Sequence, residues 1–250
     1  MPDCLLIDAG NSLLKWAFSR NGEMSAVGQV DYADNEFMAT LSQPWSLPTP
    51  PQRVLLASVV SAGRVQALRS WVETSWHLPL ELVSAQARAC GVVNGYAQPE
   101  QLGADRWAAL IAARQLLSGA VCVVDSGTAT TLDVMDAEGR HLGGLIVPGV
   151  GLMRASLFNN TAGVRGDVDA VAGGLLATDT QAAVSGGSLQ ATAGLVERLL
   201  REVRAMLGVP LTTILCGGAA PDLLPLLPCE VRHEPDLVLK GLNIIAMNTS

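Results

Sequence analysis

Lysine is almost missing from this 250-residue chain, which has only Lys15 and Lys240. Arginines are scattered through the rest, and the formal net charge is −7. Nothing here forms a basic stripe that could track a phosphate backbone, which argues against a direct nucleic-acid partner. Cysteine is scarce too: the count is five, an odd number, without a C-x-x-C pair. Neither a disulfide framework nor a zinc site is expected, and Cys4, Cys122 and Cys216 lie in apolar runs where cysteine acts as a small hydrophobe. His77, His141 and His233 fall in no motif with metal-ligand spacing and are expected at surface or loop positions. Long apolar runs are lacking, since none approaches the roughly 18 residues that span a bilayer. The start, MPDCLLID, is acidic where a secretory signal needs positive charge. A soluble protein working in the cytoplasm, with no membrane partner, is the expectation. No G-x-x-x-x-G-K-[ST] occurs, so a P-loop is excluded, and GVGLMR at 149–154 has Arg154 where a dinucleotide fingerprint needs its third glycine.

What the chain does contain is one plan written twice. In LLIDAGNSLLKWAF (5–18) a branched apolar strand ends at Asp8, Gly10 permits a tight turn, and a second strand alternates Leu14, Trp16 and Phe18 with Lys15 and Ala17. Alone, this reads equally as a hairpin turn. A second copy stands at 120–149, AVCVVDSGTATTLDVMDAEGRHLGGLIVPG. The likeness continues through a third strand in each copy, AVGQVDY after the turn SRNGEM and HLGGLIV after DAEGRH. Next in each half comes strand, small-residue turn, helix and strand: RVLLASVVSAGRVQALRSWVETSW with LELV, and TTILCGGAAPDLLPLL with CEVRHE. Each half also holds a longer helix, QLGADRWAALIAARQLL and GGSLQATAGLVERLLREVRAML.

A spacing of about 117 residues is too long for a solenoid repeat and suits two homologous α/β domains, 1–118 and 119–250. Such domains are expected to face each other across a central cleft, where ligand sites preferentially form. Two glycine-bearing loops, each with a carboxylate, suit a polyphosphate and its counter-ions.

These residues resemble the superfamily of acetate kinase, sugar kinases, Hsp70 and actin, with its duplicated ribonuclease H-like domains. More narrowly, the chain resembles type III pantothenate kinases nearly end to end. The likeness is carried by IDAGNSLLK (7–15), Tyr96, LGADRW (102–107), VVDSGTATTLD (123–133), GGLIVPG (143–149), TQAAVSGG (180–187), LCGGAA (215–220) and LVLKGL (237–242). The resemblance implies ATP-dependent phosphorylation of pantothenate to 4'-phosphopantothenate, the first step of coenzyme A biosynthesis.

By that resemblance, Asp8, Ala9, Gly10, Asn11, Ser12, Leu13, Leu14 and Lys15 form the first ATP loop, with Asp8 toward Mg2+ and the phosphates. Ser12 replaces the family's common threonine and keeps the hydroxyl. Thr128 matches a phosphate contact of the second loop, and Asp125 the ligand of a monovalent cation, K+ or NH4+. Asp105 matches the general base, and Gly103, Ala104, Asp105 and Arg106 line the pantothenate site with Tyr96 and Thr180. The family forms homodimers. The residues leave plainer readings open: Asp105 and Arg106 as the start of a helix, Lys15 as a solvent-facing strand residue, Tyr96 as a loop aromatic and Thr180 as a helix cap. Competing functions are a sugar- or acetate-type kinase of the same superfamily, an ATPase that drives motion, and a Baf-type accessory role in transcription.

Overall fold

A computed structural model describes residues 3–31, 37–45, 50–161, 175–227 and 230–249. Tyr32 and Cys229, the far ends of two expected strands, lie outside the described residues, as do Met1 and Pro2. The chain divides into two compact units, one of Met1–Leu117, Gly139–His141 and Asp236–Ser250, the other of Ser118–Glu138 and Leu142–Pro235.

The first unit opens with β1 (Cys4–Ala9), β2 (Leu13–Arg20), β3 (Glu23–Met24) and β4 (Gly28–Asp31), followed by α1 (Phe37–Trp45), β5 (Arg53–Ser58), α2 (Ala62–Trp76) and β6 (Leu80–Leu82). A short ribbon of β7 (Arg88–Ala89) and β8 (Val92–Val93) leads to α3 (Ala104–Leu116). The sheet order is β3-β2-β1-β5-β6, with β4 also beside β2. Between β2 and β3 the turn residues Asn21 and Gly22 have φ of 51° and 86°, the pair of left-handed conformations that closes a two-residue hairpin without splaying its strands. Strand alternation sends Leu5, Ile7, Ala9, Leu14 and Trp16 to one core with Leu41, Leu68 and Val72. Trp45 packs edge-on against Trp16 at 5.9 Å and Trp71 at 5.3 Å, so large rings hold α1 and α2 to this face.

The opposite face of the sheet is covered by α3 and by the C-terminal helix (Leu237–Asn248). These two helices touch backbone to backbone, because a Cβ at Gly241 would stand 1.9 Å from the Ala108 carbonyl oxygen. Polar clasps complete the docking. Asn243 accepts from Ser19 Oγ at 2.6 Å and donates to the Gly22 carbonyl at 2.7 Å, while Arg53 donates to the carbonyls of Ala246 and Thr249. The last helix thus groups with the first unit, whereas the duplication read from the sequence assigns residues 119–250 together. Gly241→Val is expected to force about 2–3 kcal/mol of overpacking and lower the melting temperature by about 5–10 °C. An unchanged calorimetric transition would show that the helices tolerate separation at this point.

The second unit comprises β9 (Ala120–Ser126), β10 (Ala129–Met135), β11 (His141–Pro148), α4 (Val150–Asn160), α5 (Thr180–Leu207), β12 (Leu211–Cys216), α6 (Ala220–Leu223) and β13 (Val231–His233). His141, the first residue of β11, groups with the first unit. The order β11-β10-β9-β12-β13 repeats that of the first sheet strand for strand. In both, the first strand is antiparallel to the second, β1 to β2 and β9 to β10, and parallel to a later one, β1 to β5 and β9 to β12. The duplicated α/β fold is therefore present, each half a ribonuclease H-like sheet of the actin type. Cys122, Val124, Leu132, Leu211 and Leu215 pack on one face against Leu189, Ala193, Val196 and Leu200 of α5.

Two expectations need correction. The long helix starts at Thr180 and not at Gly186: Asp179 caps it, its carboxylate accepting from Ala182 N at 2.8 Å, and the Gly186-Gly187 pair is carried inside it. Two helical glycines cost about 1 kcal/mol each relative to alanine, and the buried stripe of Leu189, Ala193, Val196 and Leu200 outweighs them. His141, expected at the surface or in a loop, is buried at the start of β11.

Candidate active site

In the first unit, Asp8 stands at the C-terminal end of β1, directly opposite Lys15 of β2. Opposed residues of an antiparallel pair share a face, so both point away from the Leu5–Ile7–Ala9 core, toward the side that carries the C-terminal helix. The turn between them closes through Gly10 N donating to the Leu13 carbonyl at 3.0 Å, which leaves Asn11 and Ser12 exposed at its tip. Ala9 and Leu14 are buried in the core, so only their backbone can serve a ligand. Lys15 Nζ lies 2.9 Å from Asp236 Oδ1, at the N-terminus of the C-terminal helix. The reading of Lys15 as a plain solvent-facing residue is thereby replaced by an ion pair at the edge of the loop.

The LGADRW stretch turns into helix at Ala104, with Gly103 as the N-cap residue. Asp105 Oδ1 accepts the Arg106 N–H at 2.8 Å, folding back over the helix start. A carboxylate there meets the positive end of the helix dipole, and the bond fixes its aim. A Cβ on Gly103 would come within 2.5 Å of Asp105 Oδ1, so a larger residue there would displace the carboxylate from this position. Arg106 is buried, and its guanidinium donates to Tyr96 Oη at 2.9 Å, with Cζ 5.6 Å from the phenol ring centre. Tyr96 is itself held by its backbone, whose N–H donates to Asn94 Oδ1 at 2.9 Å. Tyr96 and Arg106 are thus brought together, although ten positions separate the phenol from the guanidinium in sequence, and Asp105 precedes Arg106 at the helix start.

In the second unit Asp125 takes the place on β9 that Asp8 takes on β1, near the strand's C-terminal end and opposite Thr131 and Cys216. The turn that follows is drawn tight, Gly127 N donating to Ala129 O at 2.9 Å while Ser126 and Thr130 hydroxyls meet at 2.9 Å. Gly149 N donates to the Thr128 carbonyl, bracing the loop from behind and leaving the Thr128 side chain exposed. Gly217 has φ of 89°, and a Cβ on it would lie 2.5 Å from both Asp125 Oδ1 and the Ser126 carbonyl oxygen. The carboxylate therefore lies against bare backbone beside a carbonyl oxygen, an all-oxygen setting of the kind that suits hard cations. Thr180 is exposed as the first residue of α5, and the capping bond comes from Asp179.

Sequence reasoning missed Asn94, Gly217, Asp236 and His141. Gly217 was within reach, since LCGGAA repeats the strand-then-glycine pattern. Asp236 and His141 act through partners distant in sequence and leave no local signal, whereas Asn94 accepts the nearby Tyr96 N–H through a loop turn that no motif marks.

The type III pantothenate kinase family model matches residues 4–202. A type III pantothenate kinase from Nitrosococcus oceani is 39% identical, aligned over 98% of this chain and 94% of its own length. One from Burkholderia thailandensis is 38% identical over 97% of each chain. Among solved structures, a Baf family protein from Campylobacter jejuni superposes with a TM-score of 0.59 at 19% identity, covering 98% of both chains. The ethanolamine utilization protein EutJ from Carboxydothermus hydrogenoformans gives 0.56 at 15% identity, covering 99% of this chain and 90% of its own. Structural likeness at such identities speaks for the fold alone. With the family model matched over most of the sequence and relatives aligned almost end to end, the chain belongs to the type III pantothenate kinase family.

Proposed function

We propose that the protein transfers the γ-phosphoryl group of MgATP to the terminal hydroxyl of pantothenate, giving 4'-phosphopantothenate, the first step of coenzyme A biosynthesis. The observation that carries this reading is the buried Arg106 guanidinium joined to the Tyr96 phenol, one residue after a carboxylate, Asp105, that is held at the start of the same helix. Phosphoryl transfer needs little covalent help from a protein beyond an aligned hydroxyl and neutralised charge. Asp105 accepts the hydroxyl proton, and Arg106, with five N–H donors, holds the substrate carboxylate while keeping its bond to Tyr96. Gly103 and Ala104 line the approach to Asp105, and the Thr180 hydroxyl contacts pantothenate.

The Asp8–Lys15 loop receives the ATP phosphates with backbone N–H groups, Asp8 facing their Mg2+, and Thr128 contacts a phosphate from the second loop. A potassium or ammonium ion would be held by Asp125 and supplies positive charge against the polyphosphate.

A homodimer would cover exposed apolar side chains of the second unit, Leu142, Leu145 and Ile146 of the edge strand β11 and Leu152 and Leu157 of α4. Among the described residues no helix is long and apolar enough to cross a membrane. ATP as the donor suits action in the cytoplasm. The sugar- or acetate-kinase alternative is weaker, because the family model and the full-length relatives are pantothenate kinases.

The test is a coupled assay of ADP release with pantothenate, glucose and acetate as acceptors, in potassium and in sodium. Turnover on glucose or acetate above that on pantothenate would overturn the reading. Selectivity gives a sharper check. A buried guanidinium left without its anion penalises the wrong acceptor, so pantothenate is expected to exceed pantothenol, its alcohol analogue, by about 100-fold in kcat/KM. Arg106→Met should bring that ratio within about tenfold, chiefly by weakening the acid. Equal use of both by the wild-type enzyme would remove Arg106 from its role.

A further inference from the structure

His141 is 2% exposed and takes no part in the chemistry assigned above. Its imidazole lies nearly parallel to the Tyr96 ring and offset from it, the two planes 17° apart and their centres 5.8 Å from each other. The contact is built into the backbone. Val93 N donates to the Gly139 carbonyl at 2.9 Å, and Val93 bridges to Arg140, so the strand carrying His141 is tied to the stem of the loop carrying Tyr96. Gly139, with φ of 86°, lies so close to Gly91 that a Cβ on it would stand 2.3 Å from the Gly91 carbonyl oxygen. The Arg114 side chain lies against both glycines.

Asn94 fixes the main chain of Tyr96, but a phenol still turns about two side-chain torsions, the second of them broad. A flat buried neighbour removes that freedom. The hydroxyl so placed is the one that receives the Arg106 guanidinium.

We infer that His141 is a positioning residue for substrate recognition: its ring sets the plane of Tyr96, and through the phenol oxygen it aims Arg106 at the carboxylate of the acceptor. The inference rests on the proposed role of Arg106, and it assigns the effect to the flatness of the imidazole rather than to its basicity.

His141→Leu fills the space without a plane, and His141→Phe restores one. His141→Leu is expected to raise the KM for pantothenate about tenfold, as a misaimed binding group does, with kcat and the KM for ATP within about twofold of wild type. The pantothenate-to-pantothenol ratio should fall with it, and His141→Phe should recover both values to within about threefold of wild type. A second readout needs no turnover. The chain has two tyrosines, so ring-labelled tyrosine gives two sets of NMR signals, and Tyr96→Phe identifies which belongs to Tyr96. That signal should move in His141→Leu and return toward its wild-type position in His141→Phe.

Three results would overturn the inference: a Tyr96 signal unmoved in His141→Leu, a phenylalanine variant that behaves like leucine, or a fall in kcat with a rise in both KM values that accompanies a lower melting temperature. Failure of the Arg106 reading looks different, because Arg106→Met would then leave the acceptor ratio unchanged while the Tyr96 signal still reports on His141.

Discussion

Asp105→Asn is expected to fold as wild type, bind ATP normally and turn over pantothenate about 100-fold or more slowly, the range of a lost positioned base. The amide oxygen of asparagine can still accept the Arg106 N–H that Asp105 Oδ1 accepts at 2.8 Å, so the helix start is kept. What disappears is the ability to take a proton from the acceptor hydroxyl. The loss should therefore fall on kcat, with the KM for pantothenate little changed, since Arg106 and Tyr96 remain to hold the acid. Isothermal titration with a non-hydrolysable ATP analogue separates this from misfolding. Turnover close to wild type would remove Asp105 as the base and leave it the plain helix-start role that its sequence position also allows.

Asp125→Ala is expected to abolish the response to monovalent salt together with most activity. In the wild-type protein, replacing sodium by potassium or ammonium should raise turnover steeply, because a carboxylate facing a polyphosphate repels it unless a cation lies between them. Alanine removes the ligand, so the remaining rate should be low and equal in all three salts. The melting temperature provides a second measure: potassium should raise it in wild type with MgATP present and leave Asp125→Ala unmoved, as binding to the folded state alone requires. Equal wild-type rates in sodium, potassium and ammonium would withdraw the cation from Asp125.

The two aspartate loops were legible because their chemistry is local: a strand, an acid at its end and a glycine two positions on constrain the backbone whatever the rest of the chain does. The duplicated sheet followed from the same signals and has the same strand order in both halves. Gly241 was quoted as part of a motif, yet its meaning is its distance from the Ala108 carbonyl, which no pattern near Gly241 encodes. Its helix falls within residues 119–250 of the duplication and groups by contact with the first unit. His141 failed for the same reason, its partner Tyr96 being far along the chain. At α5 the difficulty was different, since local propensity argued against Gly186 and Gly187 while burial decided the outcome. Contacts between remote residues are where the sequence stops being readable.

The return of the C-terminal helix to the first unit also sets an order of assembly on the ribosome. Domains made first ordinarily fold first, while the remainder is still being translated. Here the face of β1 and β5 beside α3 waits for residues that follow the whole second unit. A nascent chain stopped before Leu237 has every strand of the first sheet but lacks the helix against which Ala108 packs. Such a fragment keeps apolar surface open to chaperones and proteases, so synthesis of residues 237–248 becomes the step that closes the amino-terminal half.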